Sequence, residues 1–207
     1  MRNYLFIVLT FLSISGCSQK PSEILEETNY ESKSPTLEIV LKSYEVSSNF
    51  VENIYKNDKS KIELYIQLEE NGTIEKVPNF NETPESYFSA YNLIRDEDGN
   101  IIYIAEFPMS ESEDYNLSYK NYFDKKGNII AFERRCNSFN SGCAEIIREE
   151  SIYFYDASHL LVKKTYKITD GDNKEIDYKN CVFNYRFKYK QRMTLNEYMK
   201  KNKPYTK

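Results

Sequence analysis

From Lys61 onward the apolar residues recur with a period of two. Ile62, Leu64, Ile66 and Leu68 alternate with Lys61, Glu63, Tyr65 and Gln67. One face is therefore apolar and the other polar, as in a half-buried strand. Strand-like segments follow at 73–77, 87–95, 101–107, 115–123, 129–136, 145–155, 160–169 and 176–189. In the last, Cys181, Phe183, Tyr185, Phe187 and Tyr189 share one face and Asn184, Arg186 and Lys188 the other. One turn motif keeps returning between these segments. Glu69-Glu70-Asn71-Gly72-Thr73-Ile74 resembles Asp96-Glu97-Asp98-Gly99-Asn100-Ile101, Asp124-Lys125-Lys126-Gly127-Asn128-Ile129 repeats it, and Asp156-Ala157-Ser158-His159-Leu160-Leu161 is a degenerate copy. Gly72, Gly99 and Gly127 are 27 and 28 residues apart. The acid accepts hydrogen bonds from turn amides and the glycine takes the left-handed conformation that closes a hairpin. Each period is thus two strands, and such a series folds as an antiparallel meander.

Helical patterns bracket the strands. Leu37, Val40, Leu41, Tyr44, Val51, Ile54 and Tyr55 fall at helical spacings, with Glu38, Lys42, Glu45, Asn49, Glu52 and Lys56 opposite. That is an amphipathic helix with one side on a core. Ser34 before Pro35 reads as its cap, and Ser47-Ser48 interrupts the stripe as a bend or split. Near the other end, Thr194-Leu195-Asn196-Glu197 fits a capping box. A short helix to about Lys203 follows, with Leu195, Tyr198 and Met199 inward and Pro204 ending it. The expected fold is α+β: an N-terminal amphipathic helix packed on a twisted antiparallel meander of about eight or nine strands, with a short C-terminal helix.

The segments Tyr153-Phe154-Tyr155-Asp156 and Tyr122-Phe123-Asp124-Lys125-Lys126-Gly127-Asn128-Ile129 resemble the tyrosine–aspartate (YD) repeats of RHS-type bacterial envelope proteins. The resemblance covers four short stretches and departs from that family in copy number and length. It implies hairpins in a running antiparallel sheet and brings no active site.

Residues 1–16 have the pattern of a signal peptide. Arg2 precedes the apolar run from Leu5 to Leu12, and small residues follow. The run is shorter than the ~20 residues that span a bilayer. Ile14-Ser15-Gly16-Cys17 resembles the lipobox of bacterial lipoproteins. This implies cleavage before Cys17, lipid on its thiol, and attachment to a membrane. Ser18 resembles the residue seen in lipoproteins sent to an outer membrane, and the expected location is an outer membrane or the cell surface rather than an inner membrane. Residues 17–34 are polar and acidic and read as a flexible tether; 35–207 read as a single domain.

The chain carries 28 Lys and Arg against 32 Asp and Glu. Removing 1–16 takes one Arg and no acid, leaving 27 − 32 = −5, so the basic footprint of a nucleic-acid binder is missing. Nineteen tyrosines without a tryptophan fit an AT-rich genome, or a surface for sugar or peptide. With Cys17 lipidated, Cys136, Cys143 and Cys181 remain in a compartment that permits disulfides. Cys136 and Cys143 flank a loop-like segment, and the expected bridge clamps its base. One histidine, His159, and no Cys-x-x-Cys pair argue against a metal site or cofactor. No nucleophile with a base stands out, and His159 reads as a solvated turn residue. The turn acids each offer few ligands for calcium. Lys163-Lys164 and Lys200-Lys201 read as solvated faces, or as contacts to anionic lipid.

The expected function is non-enzymatic: a lipid-anchored envelope protein binding a partner protein, or a small apolar or carbohydrate ligand, on one sheet face. The alternative is an assembly or immunity-type lipoprotein pairing through a bare strand edge. A carboxylate-pair hydrolase comes last.

Overall fold

Antiparallel pairing accounts for most of the molecule. The computed structural model describes residues 29–32, 36–70, 72–82, 84, 86–110, 114–139, 142–177, 179, 181, 189 and 191–201. The strands are β1 (Tyr30–Glu31), β2 (Ile62–Gln67), β3 (Ile74–Val77), β4 (Ser89–Arg95), β5 (Ile101–Pro108), β6 (Tyr115–Phe123), β7 (Ile129–Phe139), β8 (Ile146–Tyr155) and β9 (Leu161–Asp170). The helices are α1 (Leu37–Asn57) and α2 (Leu195–Lys201). The nine strands form one sheet in the order β1-β9-β8-β7-β6-β5-β4-β2-β3. From β4 to β9 it is a pure meander. The hairpin β2–β3 instead leaves β2 between β3 and β4, and the chain's early strand β1 lies along the last, β9. This is the α+β meander that the two periodicities predict.

Strand alternation gives the sheet two apolar faces. On one, Val40, Val51 and Ile54 of α1 pack with Ile62, Ile94, Tyr103, Tyr122, Ala131, Phe154 and Val162. Tyr44 meets Tyr122 and Phe154 edge-on at centroid distances of 5.1 and 5.2 Å, and Asn92 donates to the Tyr55 hydroxyl at 2.7 Å. The helix continues through Ser47-Ser48 without a break. Sheet contacts on both sides of the pair, from Tyr44 and from Val51, hold it in register. Thr36 stands at its N-terminal cap position, its side chain making no capping bond to the helix; Ser34 and Pro35 lie outside the described residues.

On the opposite face Tyr65, Tyr91, Leu93, Leu117, Tyr119, Phe123 and Phe132 pack with the buried Tyr198 of α2. Tyr189 stacks on Tyr119 and Phe132 with centroids 4.0 and 5.2 Å apart. The capping box of α2 forms. Glu197 N donates to Thr194 Oγ1 at 3.1 Å, and the Glu197 carboxylate accepts from Met193 N at 3.0 Å.

The turn motif recurs as a single geometry. The first Asp accepts through Oδ1 from the amides two and four residues on: Asp98 and Asn100 for Asp96, Lys126 and Asn128 for Asp124, Ser158 and Leu160 for Asp156. The residue three positions on is left-handed each time, Gly99 at φ 83°, Gly127 at φ 79° and His159 at φ 63°. Two corrections apply to the sequence reading. Asp170 makes the same turn, with Asp172 and Lys174 amides on its carboxylate and Asn173 at φ 65°. The first copy closes differently: Gln67 Nε2 donates to the carbonyls of Glu70 and Gly72.

Other expectations change as well. Residues 29–32, read as tether, fold onto the β9 edge: Ser32 N donates to Val162 O at 2.8 Å and Tyr166 N to Asn29 Oδ1 at 2.6 Å. An exposed edge has unpaired amides and carbonyls, which lets even a polar segment add a strand. The expected strand at 176–189 falls mostly outside the described residues, and its start, Ile176 and Asp177, is not strand. The lipobox and Cys17 also lie outside them. Among the described residues no helix is long and apolar enough to cross a membrane.

Candidate functional site

Helix α1 packs over one end of its sheet face. Its partners Ile94, Tyr103, Tyr122, Ala131 and Phe154 lie toward the tight Asp-led turns. The same face continues toward the other end of the strands, where a cavity opens on it. There β6 to β9 form two adjacent rungs. Ser118 pairs with Arg135, Arg135 with Glu150, and Glu150 with Lys167. Two residues along, Asn116 pairs with Asn137, Asn137 with Arg148, and Arg148 with Thr169. Neighbouring strands are about 4.8 Å apart and same-face residues about 6.7 Å along a strand, so these side chains form a compact polar lattice. Together with Phe107 and Asn173 they line a cavity of about 440 Å³.

A buried charge network borders the lattice under α1. The Glu133 carboxylate, 1% exposed, accepts from Lys120 Nζ at 2.7 Å, Tyr44 OH at 3.2 Å and Tyr122 OH at 3.4 Å, and is ion-paired with Arg135. Arg135 also reaches Glu150 at 2.8 Å. Burial first, and the Glu133 charge second, hold the Tyr44 and Tyr122 hydroxyls well above the ordinary phenol range. Burial works against the Arg135 cation, but Glu133 and Glu150 outweigh it and raise its affinity for its proton. Lys120 and Arg135 therefore balance Glu133 and Glu150.

Arg148 and Lys167 stand outside that balance. Arg148 Nη1 donates to the neutral Asn173 Oδ1 at 2.6 Å. No carboxylate of the described residues lies within 4.0 Å of Lys167 Nζ. Glu149 touches the cavity through its strand, but its side chain belongs to the reverse face, where it binds Arg134 at 2.8 Å and Tyr166 OH at 3.1 Å.

A disulfide ties two segments beyond this end of the strands. Cys143, between β7 and β8, is bonded to Cys181, beyond β9. This corrects the expected Cys136–Cys143 bridge. Strand β7 runs on to Phe139, which pairs with Ile146, so Cys136 sits three residues below the loop base, about 10 Å along the strand. Cys136 is 1% exposed, packs on the α2 face and pairs across the sheet with Glu149.

The remaining sequence candidates are elsewhere. His159 occupies the left-handed turn position, its Nε2 3.4 Å from Asn128 Oδ1. Lys163 pairs with Glu31 at 3.3 Å, and Lys164 lies over the Tyr153 ring at 5.0 Å. The turn carboxylates are engaged by backbone amides, and among the described residues no group of His, Cys, Asp and Glu could hold a metal. Sequence reasoning missed Arg135, Arg148 and Lys167. Alternation assigns each to a face, but only strand register makes them neighbours. Comparison with family models, curated proteins and solved structures finds no match.

Proposed function

We propose that this chain is a lipid-anchored cell-envelope protein, tethered through Cys17, that binds a small carbohydrate-like ligand in the cavity on the α1 face. The lipobox Ile14-Ser15-Gly16-Cys17 supports the anchor. The polar lattice around the 440 Å³ cavity carries the ligand reading. Asn116, Asn137, Ser118 and Thr169 offer donors and acceptors to hydroxyl groups, and Phe107 offers a ring face. An apolar ligand would leave these groups desolvated and unpaired, at roughly 1–3 kcal/mol each. The geometry thus favours carbohydrate over an apolar molecule.

Two observations support binding over hydrolysis and edge pairing. A carboxylate-pair hydrolase needs two acids on one side of its substrate, whereas Glu149 and Glu150 are consecutive on β8 and point to opposite faces, and Glu133, which shares the Glu150 face, is 1% exposed and held by Lys120 and Arg135. Edge pairing needs a bare strand. β9 carries β1, and β3 is four residues long with Lys76 ion-paired to Glu63 at 3.0 Å; short, charged edges resist pairing. Full-length protein in detergent micelles, titrated calorimetrically with neutral and acidic oligosaccharides, tests the reading. Saturable binding that Asn137→Ala weakens is expected. Heat of dilution alone across the panel would contradict it.

A further inference from the structure

We infer that the ligand of this groove is an acidic saccharide, with Arg148 and Lys167 as its anion-recognising corner; this rests on the groove being the binding site. Charge complementarity within the lattice selects such a ligand. Arg135 is consumed by Glu133 and Glu150. Arg148 and Lys167, on adjacent strands, are diagonal neighbours: Arg148 pairs with Thr169, and Lys167 is two residues before it. Such neighbours are about 7–8 Å apart at Cα, close enough for both side chains to reach one carboxylate or phosphate group. Both residues are exposed and line the cavity. Asn173 fixes the Arg148 guanidinium at 2.6 Å without neutralising it. Glu150, opposite Lys167, is held by Arg135 at 2.8 Å, so the corner is left net positive on a chain of net charge −4, and a positive cleft concentrates anions.

The amides and hydroxyls beside it supply the rest of the recognition. Asn116, Asn137, Ser118 and Thr169 occupy neighbouring lattice positions, where they meet hydroxyl groups on the ring that carries the anion. An anion alone would use only the corner; a neutral sugar would use only the amides and hydroxyls.

The test is calorimetry on full-length protein in detergent micelles with a galacturonic acid trimer, the neutral galactose trimer, inorganic phosphate and a triglutamate peptide. The acidic trimer should bind about tenfold or more tighter than the neutral one, since hydrogen bonds to charged groups are the stronger kind. Its affinity should fall as salt rises. The double variant Arg148→Gln/Lys167→Gln should bind the acidic trimer no tighter than the neutral one while keeping its unfolding midpoint. Equal binding of both trimers to the unaltered protein would overturn the inference and leave the groove reading standing. Binding of neither would overturn the groove reading itself. Phosphate or triglutamate matching the acidic trimer would overturn the saccharide assignment.

Discussion

Replacing Glu133 by Ala removes the acceptor on which four side chains converge beneath α1. Its carboxylate is 1% exposed, and Lys120, Arg135, Tyr44 and Tyr122 all point at it. Removing one partner of a buried ion pair costs about 3–5 kcal/mol because the other charge is left without a partner. Here Lys120 is 19% exposed, and Arg135 is 51% exposed and keeps Glu150, so water and the second acid recover part of the loss. We therefore expect about 3 kcal/mol, the low end of that range. For a chain of this size that lowers the thermal midpoint by about 6–12 °C. Equilibrium urea unfolding followed by far-ultraviolet circular dichroism measures it. Glu52→Ala is the control: its i,i+4 pair with Lys56 is 65% and 71% exposed and should be worth about 0.5 kcal/mol or less. Tyr44→Phe should cost about 1.5 kcal/mol alone. Combined with Glu133→Ala it should cost clearly less than the sum, because both act on one network. A Glu133→Ala loss under about 1 kcal/mol, or strict additivity with Tyr44→Phe, would refute the claim that this network fastens the helix to the sheet.

Gly99 and Gly127 hold the same left-handed position, but a Cβ on Gly127 meets Leu195 at 3.1 Å while one on Gly99 meets nothing within 4 Å. Gly99→Ala should cost about 1–2 kcal/mol of backbone strain and Gly127→Ala visibly more, read by thermal unfolding, with α2 loosened only in the second. Mapping of non-reduced peptides should recover Cys143 linked to Cys181, with Cys136 alkylated only after unfolding; Cys181→Ser should cost about 2–4 kcal/mol for a closed loop of 38 residues. Burial pushes the Glu63 carboxyl up, but Arg95, Lys76 and Tyr65 outweigh it and bring it down to about 2 from 4.5. Its folded pKa lies below its unfolded value, so its contribution to stability is full above pH 4.5 and is lost as pH falls toward 2. Glu63→Gln should flatten the stability–pH curve in that window.

Much of the fold is legible because it is local. Period-two runs name the strands, 3.6-period runs name α1, and Thr194 with Glu197 announces α2. The turn at Asp170 escaped because Asn173 stands where glycine stands in Asp96 and Asp124, although Asn also tolerates a left-handed backbone. The β1 strand escaped because its two exposed residues carry no apolar signal; the β9 edge makes it a strand. The disulfide escaped because proximity in sequence is a poor guide once β7 carries Cys136 away from the loop. The groove is the least legible part. Arg135, Arg148 and Lys167 are separated by 13 and 19 residues and meet only through the registers of β7, β8 and β9.

The most direct test of the central claim is hydrogen–deuterium exchange on full-length protein in detergent micelles, with and without saturating galacturonic acid trimer. Protection should appear in 170–177, which carries the lining residue Asn173, and at the adjoining ends of β6 to β9, while Ile74–Val77 on the far edge and α2 stay unchanged. Protection confined to that far edge, or none at saturation, would contradict it.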